Sequence, residues 1–548
     1  MKIRFYVRWR VILKKHMKNQ NLVFNEKQLK QLIAVLNNDL EVNYQEFEDS
    51  FNQYYSKVKE LSGDLVKVDK EIALKNYSLE VVLFCLLCSI FKRYLEVIFN
   101  IKLDYKYIAN RYDTNGFYAW FEMKNRNVEL IDNYIIQEGE LGSELISSIY
   151  EKSLNAEEKK RLGQFYTPNN IVNLMIDETN LRKIDFNNTK SIIDPACGAG
   201  IFLVNIIKMM KKRNQGLSLA KIIYNSLHGN DINPFAIFLT KLNMSCELLN
   251  TMKVPEEVME FLDKYADFKN IVLVNTITED NDEKYDYIIG NPPYFKLSDK
   301  KFKNHEMYTE IMYGQPNIYG LFIYWSLKHS KENGYISLIV PQSFKSGLYF
   351  LNLRNELSKY RIKSLINFKS RTKIFKNVLQ AVIIMTIKNQ KKGKAKVKVS
   401  NVEENNLKNI EFLRVDQNRI VQNSDYNFFF FIPKDNISLS ILEKVYDNSF
   451  NLKSKNSNIM FGNGLFVWNQ NKSILTNDFN GGTAPVIYGN FINSYDFNYN
   501  SIVSSNVEKK RMFSYYFEKS KTVDIWKEAI STEDIELCLL SKNKILYN

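Results

Sequence analysis

Ile192-Ile193-Asp194-Pro195-Ala196-Cys197-Gly198-Ala199-Gly200-Ile201-Phe202 decides the fold. The run reads as a strand, a tight turn of small residues and the start of a helix. Such a turn lets a ligand approach the backbone, and the helix N-terminus behind it presents free N–H groups. Unlike a GxGxxG dinucleotide loop, this one places an acid, Asp194, at the strand end, which suits a cationic ligand better than a pyrophosphate. A generic strand-to-helix turn would also explain the glycines, so the surroundings have to decide.

Short apolar runs at 191–194, 227–231, 271–275, 285–290, 335–340, 362–368 and 381–388 alternate with helical stretches. That alternation is the pattern of a doubly wound, mostly parallel α/β sheet. A further run at 394–400 follows Lys391-Lys392-Gly393 and is expected to return as an antiparallel hairpin on 381–388. Upstream, leucines and isoleucines recur at helical spacing, as in Glu26-Lys27-Gln28-Leu29-Lys30-Gln31-Leu32-Ile33, with few Gly or Pro to interrupt. After residue 400 the chain turns irregular and aromatic, as in Asn427-Phe428-Phe429-Phe430-Phe431. The 548 residues exceed what one core usually supports, so three domains are expected: helical 1–155, α/β 156–402 and α+β 403–548.

Lys and Arg number 75 against 61 acids, a formal charge of +14 that favours a polyanionic partner through counterion release. A lysine-rich background composition explains the same number. Five cysteines, at 85, 88, 197, 246 and 538, form neither a disulfide framework nor a zinc quartet. Cys85 and Cys88 sit in the apolar run 81–88 and read as buried helix residues, so no metal site is expected. That run ends at Lys92-Arg93, short of the roughly 20 residues that span a bilayer, and a soluble, cytoplasmic protein without membrane contact is expected. The first residues carry Lys2, Arg4, Arg8 and Arg10 without a signal-peptide core; a basic arm and an extension preceding Met17 both fit.

A second acid stands where the next strand should end, in Leu227-His228-Gly229-Asn230-Asp231-Ile232-Asn233-Pro234. A carboxylate there commonly grips ribose hydroxyls at the carboxyl edge of a doubly wound sheet. Asp231 could equally cap the helix that begins near Pro234.

Tyr285-Asp286-Tyr287-Ile288-Ile289-Gly290-Asn291-Pro292-Pro293-Tyr294 carries the chemistry. An apolar strand runs into two prolines that stiffen the loop at the binding edge of the sheet. An aromatic amine is a poor nucleophile because its lone pair is delocalised into the ring. Two acceptors, the Asn291 side-chain oxygen and the Pro292 carbonyl, can hold both amino hydrogens and favour a more tetrahedral nitrogen as it attacks a sulfonium methyl. Pro293 offers no competing N–H, and Tyr294 can stack on the base, a contact worth about 1–3 kcal/mol.

These residues resemble the amino-group DNA methyltransferases of restriction-modification systems, specifically the adenine-N6 class ordered as cofactor motif, Asn-Pro-Pro-Tyr, then target-recognition domain. The resemblance covers residues 140–400 and, more loosely, the tail. It implies a Rossmann-like methyltransferase domain, S-adenosyl-L-methionine as cofactor, and double-stranded DNA as partner, with the target adenine flipped out of the stack. A separate specificity or restriction subunit is a further implied partner. Gly163-Gln164-Phe165-Tyr166-Thr167-Pro168 resembles the segment that closes over the methionine end of the cofactor, which gives Phe165, Tyr166, Thr167 and Pro168 that role. The resemblance adds Asp194, Pro195, Ala196, Cys197, Gly198, Gly200, Asp231 and Ile232 to the cofactor site. Asn317-Ile318-Tyr319-Gly320-Leu321-Phe322 resembles the helix behind the catalytic loop, and Phe375 holds the place of the aromatic behind the flipped base, or is a core residue. Where the family often carries an Asp for the cofactor's adenine amino group, this chain has Asn275, followed by Thr276.

Three other readings stand beside this one. Asn-Pro-Pro-Tyr also serves methylation of a glutamine side chain in release factors, whose amide nitrogen is similarly delocalised, and RNA is a further acceptor. A fused nuclease would need an acid and Glu-x-Lys, a spacing that Asp113 and Glu122-Met123-Lys124 supply. A non-catalytic DNA-binding subunit is the third, against which the intact Asn-Pro-Pro-Tyr argues. For the recognition domain the candidates are Phe461 to Trp468 and Val486 to Phe491 for base edges, with Lys509, Lys510 and Arg511 for phosphates.

Overall fold

The computed structural model describes residues 44–63, 68–122, 146, 167–183, 190–279, 281–297, 306–313, 317–368, 381–393, 396–402, 410–424, 427–448, 475–476, 483–485 and 516–518. Helices α1 (Tyr44–Ser62), α2 (Lys70–Phe99) and α3 (Tyr105–Tyr112) come first. Asp69 caps α2 by accepting the Ile72 N–H, and Asn100, left-handed at φ 56°, ends it. Between those caps Val81 to Cys88 are all buried, so Cys85 and Cys88 are packed thiols of a helix interior.

The chain continues through α4 (Asn169–Glu178), β1 (Ile192–Asp194), α5 (Ile201–Met210), α6 (Gly216–Ser226), β2 (Leu227–Asp231), α7 (Pro234–Leu249), α8 (Pro255–Lys264), β3 (Ile271–Leu273) and β4 (Tyr285–Gly290). After these come α9 (Ile318–His329), β5 (Ser330–Pro341), α10 (Leu351–Leu357), β6 (Tyr360–Phe368), β7 (Val382–Lys391), β8 (Lys396–Val402) and β9 (Leu413–Asp416). The nine strands form one sheet in the order β3-β2-β1-β4-β5-β7-β6-β8-β9. Pairing is parallel from β3 through β5 and between β6 and β8, and antiparallel elsewhere. This is the expected mostly parallel α/β sheet.

The expected hairpin of 381–388 with 394–400 does not form. Strand β7 is flanked on one side by β5 and on the other by β6, so neither of its edges is open. The chain instead crosses β6, and β8 pairs parallel to the far side of that strand, with Ser364 opposite Lys398. Strand β9 then extends the sheet beyond residue 402.

Every residue of α7 is buried. It lies between the sheet and the N-terminal helices: Phe84 of α2 meets Phe238 with ring centroids 4.4 Å apart, and Tyr112 of α3 donates to Ser245 Oγ at 2.7 Å. The helical segment thus shares one continuous core with β1, β2 and the helices that follow them. The chain divides into two compact units, Met1–Leu439 and Ser440–Asn548, so the expected boundaries at 155 and 402 both fall inside the first. Within the second unit, described strands 475–476, 483–485 and 516–518 form a small antiparallel sheet.

Strand β1 pairs with β2 on one side and β4 on the other. Chain order reverses at this point, and it is outside the carboxyl ends of strands at such a switch that open α/β sheets bind ligands.

Candidate active site

The turn after β1 is clamped from behind by α7. Gly198 and Gly200 have φ of +54° and +81°, a backbone that side chains rarely tolerate. A Cβ on Gly200 would lie 2.9 Å from Thr240 Cγ2, so both conformation and space require glycine there. Thr240 Oγ1 donates to the Gly198 carbonyl at 2.8 Å, and Asn243 Nδ2 donates to the Ala199 carbonyl at 2.9 Å. The Cys197 N–H donates to the Asn230 carbonyl, and its thiol is buried, which pushes its pKa well up and leaves it a packing group.

Asp194 ends β1 fully buried. Its Oδ1 accepts the Ala196 N–H at 3.2 Å, while Oδ2 has no hydrogen-bond partner among the described residues. Burial pushes the carboxyl up to about 8, with the charge of Asp231 adding to the shift. A Cβ at Gly290 would fall 2.5 Å from Asp194 Oδ1, so the last residue of β4 must be glycine for the acid to stand beside it. A buried acid with an unused oxygen at the mouth of a parallel sheet is a site for a cationic group.

Asp231 organises the same loop. Its Oδ2 accepts the Gly198 N–H and its Oδ1 the Asn233 N–H, each at 2.9 Å. Capping of α7 falls to Asn233, whose side chain accepts from Phe235 and Ala236, which removes the capping reading of Asp231. Ile232 beside it is 38% exposed and leaves an apolar surface next to the acid. Asn275 and Thr276 are buried, and their side chains are engaged within the fold: Asn275 Nδ2 donates to the Leu61 carbonyl at 2.8 Å, its Oδ1 accepts from Ile277, and Thr276 Oγ1 donates to the Pro195 carbonyl at 2.6 Å.

At the end of β4 the Asn291 amide is held at both atoms. Nδ2 donates to Thr167 Oγ1 at 3.2 Å, and Oδ1 accepts from the Tyr294 hydroxyl. That hydroxyl also lies 2.9 Å from the Ile339 carbonyl, so its single proton is shared. The Tyr294 ring meets Tyr319 edge-on at 6.2 Å and 87°, and Tyr319 stacks on Phe350 at 5.0 Å, so the helix that resembled the backing element does lie behind the loop. Pro292 is buried and Pro293 half-buried. Thr167 and Pro168 stand at the start of α4, with Thr167 against the Asn291 amide. Phe165, Tyr166 and Phe375 lie outside the described residues, as do Lys124 and the candidate recognition residues of the tail.

Sequence reasoning passed over Thr240 and Asn243, small polar residues on a helix that carried no motif. The Asn233-Pro234 pair did carry a cap signal, since Pro at the first helical position favours a capping residue before it. Asp113 is buried and accepts the N–H groups of Phe117, Tyr118 and Ala119, so this member of the nuclease spacing closes a turn. Among the described residues no cluster of three metal-ligating side chains occurs, and no helix is long and apolar enough to cross a membrane.

A model of the family described as N-6 DNA Methylase matches residues 142–458. The chain is 26% identical over 246 residues to the Type II methyltransferase M.AccI of Acinetobacter calcoaceticus, covering 44% of this chain and 39% of that protein. It is 26% identical over 368 residues to M.VspI of Vibrio sp. (strain 343), covering 66% of this chain and 78% of the relative. With M.BsuBI of Bacillus subtilis it shares 25% identity over 340 residues, covering 61% of this chain and 64% of the relative.

Proposed function

The chain belongs to the N-6 DNA Methylase family, and from that membership we propose that it methylates the exocyclic amino group of adenine in double-stranded DNA, using S-adenosyl-L-methionine, within a restriction-modification system. The observation that carries this reading is the juxtaposition, across neighbouring strands, of an acid with an unused oxygen (Asp194) and a rigid amide–proline loop (Asn291 to Tyr294). The residues present fit the cofactor. Asp194 Oδ2 is a buried acceptor suited to a cation, the left-handed glycines leave the turn open to close approach, and Asp231 retains lone pairs for ribose hydroxyls. Ile232 supplies an apolar face for the adenine of the cofactor. When bound, the cofactor supplies an electrophilic sulfonium methyl.

Asn291 and the Pro292 carbonyl act on the acceptor. Oδ1 takes one amino hydrogen and the carbonyl the other, which draws the nitrogen lone pair out of conjugation. Thr167 fixes which end of the amide faces the base by occupying Nδ2. Tyr294 releases Oδ1 and stacks on the base, so the flipped adenine replaces the phenol as the hydrogen-bond partner. The scheme calls for no general base ahead of attack, because the proton leaves after transfer. The +14 charge favours DNA over a polypeptide substrate, and a specificity or restriction subunit is a proposed partner.

The test is transfer of labelled methyl from the cofactor to double-stranded oligonucleotides, paired with sequencing of the expressing host's DNA for modified adenines. Label appearing on a polypeptide or on RNA, with duplex DNA untouched, would reject the reading.

A further inference from the structure

Strand β5 runs parallel to β4, and its carboxyl end lies beside the Asn291 loop, with the Ile339 carbonyl 2.9 Å from the Tyr294 hydroxyl. The chain beyond Pro341 is braced from several sides. Gln342 Nε2 donates to the carbonyls of Phe368 and Val382, at the neighbouring ends of β6 and β7, at 3.2 and 3.4 Å. Arg354 of α10 is fully buried and donates to the carbonyls of Phe344 and Gly347 at 2.9 and 2.6 Å. Tyr319, which meets the Tyr294 ring, shares a hydrogen bond with Ser343 at 2.7 Å and stacks on Phe350. A Cβ at Gly347 would fall 2.6 Å from the Ser343 carbonyl oxygen, so the turn closes too tightly for a side chain there.

The side chains that this segment leaves outside the core are of two kinds. Lys345 is half-buried, its ammonium donates to Gln342 Oε1 at 2.9 Å, and no carboxylate pairs with it among the described residues. Gln342 occupies only one of the donors that an ammonium carries. Burial holds the Lys345 pKa below the ordinary lysine value, with no charged neighbour to offset the shift. Leu348 and Tyr349 are 56% and 46% exposed, an apolar pair next to the buried Phe350. A partly desolvated cation without an acid favours an anion from outside, and an exposed aromatic nearby offers a face for stacking.

We propose that residues 342–349 are the DNA-facing edge of the acceptor site, with Lys345 holding a backbone phosphate and Leu348 and Tyr349 packing on the bases beside the extruded one. The inference rests on the proposed function for its partner, duplex DNA, and deepens it by assigning contacts to the strand. Extruding a base leaves its neighbours unstacked, and an apolar or aromatic side chain placed against them offsets part of that loss. A phosphate contact sets register without reading sequence, and stacking tolerates any base, so this edge holds the strand whatever sequence is read elsewhere.

The experiment measures fluorescence anisotropy of a random-sequence duplex pool over a range of salt concentrations, with S-adenosylhomocysteine present. It compares wild type with Lys345→Met, Lys345→Arg, Tyr349→Ala and, as a charge control, Lys392→Met, which removes an exposed lysine just beyond β7 at the opposite edge of the sheet. Thermal melting verifies each fold. Lys345→Met is expected to weaken binding about tenfold and to reduce the slope of log affinity against log salt by about 1, while Lys345→Arg keeps most of both. Tyr349→Ala should also weaken binding about tenfold but leave the slope unchanged, because stacking releases no counterion. Calorimetric affinity for S-adenosylhomocysteine should stay at the wild-type value in all four variants. Wild-type affinity in Lys345→Met or Tyr349→Ala, or an equal loss in Lys392→Met, would overturn the proposal. Duplex bound with the expected responses, but with no methyl transferred to it, would sink the proposed function and leave this surface standing. Transfer to adenine by both variants, with wild-type duplex binding, would sink the surface alone.

Discussion

The turn after β1 and the loop after β4 sit on adjacent parallel strands, yet their polar groups are disposed in opposite ways. The first is braced from outside by Thr240, Asn243 and Asp231 and leaves one oxygen of Asp194 without a partner among the described residues. In the second, both ends of the Asn291 amide are already taken, by Thr167 and Tyr294. A buried acceptor without a partner is costly, whereas an occupied one must exchange partners before it can act. On the proposed reading, the donor side is shaped in advance for a cation, and the acceptor side is satisfied until a base displaces the Tyr294 hydroxyl.

The largest effect should come from removing the acceptor. Asn291→Ala is expected to lower turnover by about 10²–10³-fold, as for other preorganised polar groups at a reacting centre, with calorimetric cofactor affinity retained. Normal turnover would break the contrast at its catalytic half.

Next is Asp194→Asn, expected to weaken cofactor binding by roughly 10–100-fold, since hydrogen bonds to charged groups are worth about 1.5–3 kcal/mol. The pH dependence follows from the same residue. Burial raises its pKa to about 8, so a cationic ligand must displace a proton below that pH. Apparent affinity should climb by up to ~10-fold per pH unit on approach to 8 and flatten above it, with proton release visible in two buffers. For the ligand-free protein the sign is opposite: the stability contributed by the neutral acid is full below the ordinary Asp range and is lost as pH rises through about 8. A flat binding profile that matches Asp194→Asn would remove the acid from the pocket.

Thr167→Val deprives Asn291 Nδ2 of its acceptor while keeping the shape of the side chain. About a tenfold fall in kcat is expected, in line with 1–3 kcal/mol for a stranded amide, and cofactor Kd should hold. A change confined to cofactor Kd would return Thr167 to the role implied by its motif.

The smallest effect belongs to Tyr294→Phe, which keeps the ring for stacking and frees Asn291 Oδ1. Turnover within about threefold of wild type and KM for DNA unchanged or lower are expected, since the base no longer competes with a hydrogen bond of about 1 kcal/mol. A large loss of kcat would show the phenol acting in the reaction itself.

Much of the site was legible because its signals are local. Glycines at positive φ, prolines after a strand, and an acid at a strand end constrain the backbone within a few residues, so β2 and β4 fall where their apolar runs stood. The Asn233-Pro234 cap could be read in the same way. Asn275 shows the limit. Its place in the chain suggested a ligand contact, whereas its amide spans to Leu61, a partner that no neighbouring residue announces.

The amino-acid order by itself determined where strands end and which loops carry an acid, an amide and two prolines, because steric and hydrophobic preferences act over a single turn or strand. Only the tertiary structure decided that β8 would pair with β6 and that the N-terminal helices would share the core of the sheet. It likewise brought Asn275 to the Leu61 carbonyl at the end of α1. Those outcomes depend on which edges and buried groups remain open once everything else has packed, and residues far apart in the chain meet only then.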